Sequence, residues 1–402
     1  MEICHLDNRS CQFVCLARIF MIIVSHWRKE AKSSSQTQII LSNAFATGNM
    51  PVPLMHTYLF RCDANRENGL GHLARSLSLA EALRATGRRS VFVGCMSSVA
   101  LELIHGAGFT LHPLETVAGT REDAHAFCQA AALHGSQQLF ADDYRIGLEW
   151  HRCLNNEGYR ACIFDDFARL PDYSVCAGAI NFTVEAATLH YPGLSSSRLA
   201  IGPTFFAARE ALVKVREIRS RADGRDLTNI SRILVTIGGT DHHGLTRLVL
   251  DALREIASEQ GRRPEIRAIA GPDLLADKEL QKHFSSVLLP IAPSLAEHYT
   301  WADICISGGG LIKYECAYLG IPVAILSQTD EQQLETEQFT ALGLGADMGY
   351  LPDHATLCQN ISALLTHPGR LHTLQEKGAR VFPSDSHLNC AKFLIHCLES
   401  SP

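Results

Sequence analysis

Short apolar strands alternate with helical segments along most of this chain, and several strands run directly into glycine-rich turns. The strand at 57–62 leads into the turn Asn68-Gly69-Leu70-Gly71, and the helix that follows carries apolar residues at helical spacing, among them Leu73 and Leu77. Strands that alternate with helices indicate βαβ units around a parallel sheet. Because ligands bind outside the carboxyl ends of such strands, we expect the residues directly after each strand to form the functional site.

The alternation occurs twice, and 402 residues are enough for two domains. The second series begins with a strand at 231–237, after a charged stretch from Arg216 to Arg225 that predicts a linker. The predicted fold class is α/β, with two doubly wound Rossmann-like domains that face a cleft. The predicted boundaries are residues 57–208 for a sugar-binding domain, 209–230 for the linker and 231–402 for a nucleotide-binding domain.

Residues 1–56 lack this alternation. The apolar stretch from Phe13 to Val24 is interrupted by Arg18 and is too short to span a bilayer. We predict a disordered or poorly packed extension, with an amphipathic surface helix as the alternative. Since Met50 and Met55 directly precede the first strand, translation from a later start is a further interpretation.

Charge and cysteine pattern exclude several classes of protein. A net charge of -6 argues against a nucleic-acid-binding protein, which usually has a basic face. The 14 cysteines include no C-x-x-C pair, and several of them, such as Cys162 and Cys305, lie in apolar runs. Buried, reduced thiols are the simplest interpretation and indicate a reducing, cytoplasmic compartment. The sequence therefore predicts no metal, no cofactor, no nucleic-acid partner and no stable membrane association.

Two glycine-rich turns are candidates for phosphate binding. Gly308-Gly309-Gly310 stands between a strand and a helix, and Gly238-Gly239 follows the first strand of the second series. Such turns let the backbone approach a phosphate, while the N–H groups and the dipole at the helix start favour the anion. Neither turn fits the G-x-G-x-x-G fingerprint, and no G-x-x-x-x-G-K-[ST] motif occurs. Tight turns required only for packing are the alternative.

Two single residues follow these turns at informative positions. Glu315 lies six residues after Gly309, in the second turn of a helix, where a carboxylate can accept hydrogen bonds from a ribose diol. An exposed helical glutamate is the alternative. His72 directly follows a glycine turn at the start of a helix, and the positive helix end favours the neutral ring that a general base requires. In a chain with 19 histidines, a structural role is the alternative.

Acidic pairs end two strands of the first series, in Asp142-Asp143-Tyr144 and Asp165-Asp166. Carboxylates at these places can bind sugar hydroxyls, hold a catalytic water or orient His72. Capping of helix starts is the alternative role. Metal chelation would need further ligands, and no supporting cluster is visible in the sequence.

Together these motifs resemble those of the UDP-sugar hydrolases of pseudaminic acid biosynthesis, which remove UDP from a diacetamido-trideoxy-altrose. The resemblance covers about residues 58–395, and its most specific part is the combination of G-x-G-H-x-x-R, D-D-Y and the glycine-rich C-terminal motif. The matching segments are Cys62-Asp63-Ala64-Asn65, Gly69 to Arg75, Asp142-Asp143-Tyr144, Phe164-Asp165-Asp166, Gly202-Pro203-Thr204-Phe205, Gly238-Gly239-Thr240-Asp241, Gly308 to Glu315, and Leu319-Gly320-Ile321-Pro322.

This resemblance implies the GT-B architecture, which is similar to that of the transferase that adds N-acetylglucosamine to the lipid-linked peptidoglycan precursor. It implies that the second domain holds UDP, with Glu315 on the ribose. It implies that the first domain holds the sugar, with His72 as the base and Tyr144 near the sugar. The residues predicted to bind substrate are Asp63, Gly71, Arg75, Asp143, Tyr144, Asp165, Asp166, Gly238, Gly239, Asp241, Ser307, Gly308, Gly309, Gly310, Glu315, Glu331 and Gln332.

Two places depart from the family pattern. Gly310 and Leu311 stand where members often carry Ser or Thr, and Glu331-Gln332 stands where many carry Asn-Gln. A glutamate near a diphosphate would repel its charge. We therefore expect the substrate or its pose to differ from that of the named hydrolases.

The predicted activity is metal-independent hydrolysis of a UDP-activated deoxy amino sugar, with inversion at the anomeric carbon. It would serve nonulosonate (pseudaminic acid-like) or surface polysaccharide biosynthesis. A GT-B glycosyltransferase with a UDP-sugar donor is the alternative, because the fold alone does not decide between the two. A non-catalytic nucleotide-sugar binding protein is a third interpretation, and the presence of His72 argues against it.

Overall fold

The structure of this chain is a computed structural model that describes residues 56–399, except residues 66–67, 222–226, 239–240, 262, 285–286 and 293. The extension predicted at residues 1–56 lies outside the described residues apart from His56, and it stays a prediction.

Seven strands form the first sheet, and every neighbouring pair runs parallel. They are β1 (Thr57–Arg61), β2 (Arg89–Gly94), β3 (Thr110–Pro113), β4 (Gln138–Ala141), β5 (Ala161–Phe164), β6 (Gly178–Asn181) and β7 (Leu199–Ile201). The connecting helices are α1 (Gly71–Ala85), α2 (Ser98–Gly106), α3 (Arg121–Leu133) and α4 (Leu148–Asn156). The strand order is β3-β2-β1-β4-β5-β6-β7, so it reverses between β1 and β4. In doubly wound sheets this reversal is the place where ligands bind.

Six parallel strands form the second sheet, in the order β10-β9-β8-β11-β12-β13. The strands are β8 (Arg232–Thr236), β9 (Glu265–Ala270), β10 (Leu288–Pro290), β11 (Ile304–Gly308), β12 (Val323–Ser327) and β13 (Ala346–Tyr350). The helices of this half are α6 (Leu245–Gln260), α7 (Pro272–Ala276), α8 (Lys278–Phe284), α9 (Ala296–Trp301), α10 (Leu311–Leu319), α11 (Asp330–Ala341), α12 (His354–Leu365) and α13 (Pro368–Val381). The order reverses between β8 and β11, which places Gly238 and the turn Gly308-Gly309-Gly310 at this sheet's switch point.

Burial explains why these segments become strands. All four residues of β5 and all five residues of β12 are buried, as expected for strands of a parallel sheet that is covered on both faces. The strand β3 has no buried residue and lies at the sheet edge, so its sequence carried no apolar run to predict it. The structure confirms the predicted α/β class with two parallel sheets.

Two helices connect the halves. The predicted linker is helical over α5 (Glu210–Arg221), because Leu212 and Val215 are buried while its charged residues point outward or bind backbone carbonyls of the second half. The last helix, α14 (Ser386–Glu399), returns to the first half, where Glu399 accepts hydrogen bonds from Tyr58 and Arg88. The predicted domain division stays a proposal that has to accommodate this return.

Candidate functional site

A cavity of about 290 Å³ lies among the turns that follow six strands of the two sheets. Its lining residues from the first half are Asn68, Gly71, His72, Arg75, Tyr144, Asp166, Phe182 and Thr183. Those from the second half are Gly309, Gly310, Leu311, Tyr314, Thr329, Gln332 and Glu335. Side chains from both sheets can therefore contact one ligand.

Two helices start at the wall of this cavity, α1 at Gly71 and α10 at Leu311. Neither N-cap residue supplies a side-chain hydrogen bond, and neither first turn holds an acidic residue. An uncapped helix start keeps backbone N–H groups available, and the helix dipole adds partial positive charge there. Both helix starts are therefore suited to an anion such as a phosphate.

The glycines of the second turn differ in what surrounds them. A Cβ on Gly309 would lie 2.9 Å from the Cβ of Gln332, and a Cβ on Gly308 would lie 2.1 Å from the carbonyl oxygen of Ile237. Nothing lies within 4 Å of the Cβ position of Gly310. Packing accounts for the glycines at 308 and 309, whereas Gly310 faces free space at the helix start.

His72 is held by a buried carboxylate. Its Nδ1 lies 2.7 Å from Oδ1 of Asp142, which is 1% exposed. Burial alone would raise the pKa of Asp142, but Arg75 and His72 outweigh this effect and lower the pKa to about 2. Since the carboxylate is ionised and can only accept, Nδ1 donates this hydrogen bond, which leaves Nε2 as the ring nitrogen for a second partner. This arrangement suits a general base.

Arg75 connects the acidic residues of two strand ends. Its Nε and Nη2 donate to the two oxygens of Asp142 at 2.7 and 2.6 Å, and its Nη1 donates to Oδ2 of Asp166 at 2.5 Å. Tyr144 donates to the same oxygen of Asp166 at 2.6 Å. The Tyr144 ring stands edge-on to His72, with 4.5 Å between ring centroids. The network therefore holds the imidazole, the phenol and two carboxylates in one arrangement.

The second half contributes a buried ion pair. Lys313 is fully buried and its Nζ lies 2.8 Å from Oε2 of Glu335, which lines the cavity. The same ammonium donates to the carbonyl oxygen of Gly309. Burial raises the pKa of Glu335 although Lys313 opposes the shift. Lys313 thus ties α11 to the glycine turn.

Eight of the residues predicted from the sequence line the cavity. They are Gly71, His72, Arg75, Tyr144, Asp166, Gly309, Gly310 and Gln332. The structure brings together the predicted base, the tyrosine and one glycine turn, and the roles of these residues remain proposals.

Three of the predicted carboxylates bind other groups of the protein, namely Asp63, Asp143 and Asp165. Arg145 donates to both Asp63 and Asp143 at 2.6 Å. Asp165 accepts hydrogen bonds from the hydroxyl of Tyr173 and from two backbone N–H groups of the following turn. None of these three carboxylates lines the cavity. In each acidic pair one residue faces Arg75 and its neighbour stabilises a turn.

The other predicted residues that the structure describes also lie outside the cavity lining. Asp241 caps α6 through the backbone N–H groups of Leu245 and Thr246, both at 2.8 Å. Ser307 is fully buried, and Gly238 follows β8 with a positive φ of 130°. Gly239 lies outside the described residues.

Glu315 and Glu331 differ in their surroundings. Glu315 is 6% exposed, and its carboxylate accepts a hydrogen bond from Tyr299 of α9. Burial raises the pKa of Glu315. Glu331 is exposed in the first turn of α11, so the departure from the family pattern at this position does not add charge to the cavity lining.

Sequence reasoning missed several lining residues, including Tyr314, Thr183 and Glu335. It also left open which acidic residue orients His72, and the structure gives this contact to Asp142. Helical spacing offered one signal, because Glu335 lies one turn after Glu331 and three residues after Gln332 on α11. The residues after β6, such as Thr183, followed a strand that the sequence did not predict.

One group of metal-type ligands occurs elsewhere among the described residues. Glu255, His354 and Cys358 bring one ligand atom each within 4.8 Å of one another, on α6 and α12. None of the three lines the cavity. Within the described part of the chain, no helix is both long and apolar enough to cross a membrane.

The chain matches no protein-family profile. It is 26% identical over 187 residues to the spore coat polysaccharide biosynthesis protein SpsG of Bacillus subtilis, which is 45% of this chain and 51% of that protein. It is 23% identical over 298 residues to the uncharacterized protein MJ1062 of Methanocaldococcus jannaschii, which is 67% of this chain and 55% of that protein. The chain thus spans about half the length of these curated relatives.

Solved structures share the fold. MurG of Acinetobacter baumannii matches with a TM-score of 0.56 at 13% identity, over 84% of this chain and 99% of that chain. MnaA of S. aureus, solved with UDP, matches with a TM-score of 0.57 at 11% identity, over 87% of this chain and 99% of that chain. The spinosyn forosaminyltransferase SpnP matches with a TM-score of 0.56 at 15% identity, over 86% of this chain and 100% of that chain. The chain has the GT-B fold, with two α/β halves that each contain a parallel sheet.

Proposed function

We propose that this chain breaks the bond between the anomeric carbon of a UDP-sugar and its diphosphate, with His72 as the base for the incoming nucleophile. The observation that carries the proposal is that His72, which Asp142 orients, and the uncapped start of α10 line one cavity. A positioned base contributes roughly 10²–10⁴-fold to such a reaction. A single direct displacement inverts the anomeric centre.

The leaving group needs charge stabilisation, because the bond breaks at carbon and UDP departs as an anion. The backbone N–H groups at the starts of α1 and α10 supply donors for the diphosphate. Asn68 adds a buried amide Nδ2 that has no partner among the described residues. The structure of MnaA with UDP supports the proposal that a GT-B fold such as this one binds UDP.

The nucleophile is a hydroxyl of an acceptor or a water molecule. The comparisons favour the acceptor hydroxyl, since SpnP is a transferase and SpsG is a polysaccharide biosynthesis protein. Transfer of the glycosyl group to a hydroxyl is therefore the first candidate.

Hydrolysis is the second candidate. The resemblance to the UDP-sugar hydrolases of pseudaminic acid biosynthesis favours it. Under this candidate the substrate is a UDP-activated deoxy amino sugar of nonulosonate or surface polysaccharide biosynthesis. The described cysteines form no disulfide, which agrees with a cytoplasmic site of action.

The test is release of UDP from a panel of UDP-sugars in oxygen-18 water, with and without hydroxyl acceptors and with and without EDTA. UDP release without an acceptor, with label on the free sugar, supports hydrolysis. Release that requires an acceptor supports transfer. Label on UDP would contradict cleavage at carbon, and NMR of the new anomeric centre reports inversion or retention.

A further inference from the structure

The cation at the cavity wall is already paired with two carboxylates of the protein. Among the described lining residues, Arg75 is the one basic residue of the arginine or lysine type. Each of its three nitrogens donates a hydrogen bond to Asp142 or Asp166. Lys313 is fully buried behind the lining and is paired with Glu335. A carboxylate or phosphate on the sugar would therefore meet a guanidinium and an ammonium whose charges carboxylates of the protein already offset.

Acceptors, in contrast, are left over. Oδ1 of Asp166 is buried with no hydrogen-bond partner among the described residues, although its other oxygen receives two hydrogen bonds. The hydroxyl of Tyr314 is also without a partner, and Tyr314 is 3% exposed. Both residues line the cavity. An unmet carboxylate oxygen costs free energy unless a ligand donates to it.

The cluster has an excess of negative charge. Three carboxyl groups, those of Asp142, Asp166 and Glu335, pair with only two basic groups, those of Arg75 and Lys313. Glu185 lies nearby, is 9% exposed, and has an Oε2 without a hydrogen-bond partner among the described residues. This excess opposes a diphosphate in the same cavity unless the ligand brings a cation of its own.

We propose that the sugar bound in this cavity carries a free, protonated amine, which donates to Asp166 and Glu335. The inference rests on the proposed function and specifies its substrate class. An ammonium group supplies the missing donors and offsets the excess charge, whereas an acetamide supplies one neutral N–H. The substrate is therefore an unacylated amino sugar, in contrast to the diacetamido sugar of the hydrolases that the chain resembles.

The test is calorimetric titration of the whole chain with UDP and with matched pairs of UDP-hexoses. In each pair one member has an amine at carbon 2, 3 or 4 of the ring, and the other has an acetamide at the same carbon. We expect one amine to bind about 10-fold to 100-fold more tightly than its acetamide partner, the range for a charge-assisted hydrogen bond.

Variants assign the preference to its residues. Glu335→Gln and Asp166→Asn should each reduce it at least about 10-fold while UDP still binds. Glu331→Gln is the matched control, because Glu331 is exposed on the same helix, one turn earlier and outside the cavity. The proposal is overturned if UDP binds and no amine is preferred at any position, or if the preference survives both variants. Absence of UDP binding by the unmodified chain would instead count against the proposed function.

Discussion

Nδ1 of the His72 imidazole lies 2.7 Å from Oδ1 of Asp142, across the point where the strand order of the first sheet reverses. The contact orients the ring and settles its tautomer, because a carboxylate with a pKa of about 2 can only accept the hydrogen bond. Arg75 holds this carboxylate through two of its nitrogens. The orientation of His72 therefore depends on Asp142, which does not line the cavity.

Replacement of His72 by Gln should lower turnover about 10²-fold or more, because the base is lost. UDP affinity and folding should be retained, since the side chain is 12% exposed and lies at a helix start. Steady-state kinetics on a true substrate and calorimetry with UDP measure the two effects. Near-normal turnover of the variant would show that His72 is structural.

Asp165→Asn should destabilise the fold by about 1–3 kcal/mol and spare turnover per folded molecule, because the carboxylate accepts hydrogen bonds from two backbone N–H groups and from the hydroxyl of Tyr173, and does not line the cavity. Urea unfolding gives the first quantity and kinetics below the unfolding midpoint gives the second. A turnover loss as large as that of His72→Gln, at unchanged stability, would contradict this assignment.

Gly309→Ala should destabilise by about 1–3 kcal/mol, because the new methyl group meets the Cβ of Gln332, which cannot rotate away. Gly310→Ala is the matched control, with free space at the same place and an expected change within about 0.5 kcal/mol. Denaturant unfolding of both variants checks the difference. Equal stability of the two would indicate that the glycine turn relaxes.

Glu315→Ala should weaken UDP binding by about 1–3 kcal/mol if the carboxylate binds the ribose, as the resemblance implies. Tyr299→Phe removes its protein partner and leaves the carboxylate in place, so this variant should keep most of the UDP affinity. Calorimetry of both variants separates the two roles. Unchanged UDP affinity in a folded Glu315→Ala protein would limit Glu315 to packing.

Glu185 should make stability depend on pH. Burial raises the pKa of this carboxyl from 4.5 to about 7, so the folded state favours the protonated form. Its contribution to the free energy of unfolding is therefore fully present below about pH 4.5. This contribution, up to about 3 kcal/mol, is lost as the pH rises to about 7. Glu185→Gln should flatten this slope. Parallel pH–stability curves for the two proteins, measured by urea unfolding, would contradict the expected shift.

Much of the fold could be predicted because the signals are local. The strands predicted at 57–62 and 231–237 are β1 (Thr57–Arg61) and β8 (Arg232–Thr236), because each apolar run ends at polar residues or glycines. The edge strand β3 and the helix α5 were not expected. The first has no buried residue, and the second buries only a narrow stripe under charged residues.

The sequence alone showed that polar residues and glycines follow the strands. Because parallel strands bring their carboxyl ends to one edge of each sheet, it also determined that these residues gather at that edge. It could not determine which member of Asp142-Asp143 or Asp165-Asp166 faces the cavity, because adjacent residues in a turn point in different directions. Only the tertiary structure placed Asp142 and Asp166 on Arg75 and brought Glu335 of the second half to the same cavity. The physical reason is that side-chain direction within a turn, and contact between distant segments, arise from packing of the whole fold and have no local pattern in the sequence.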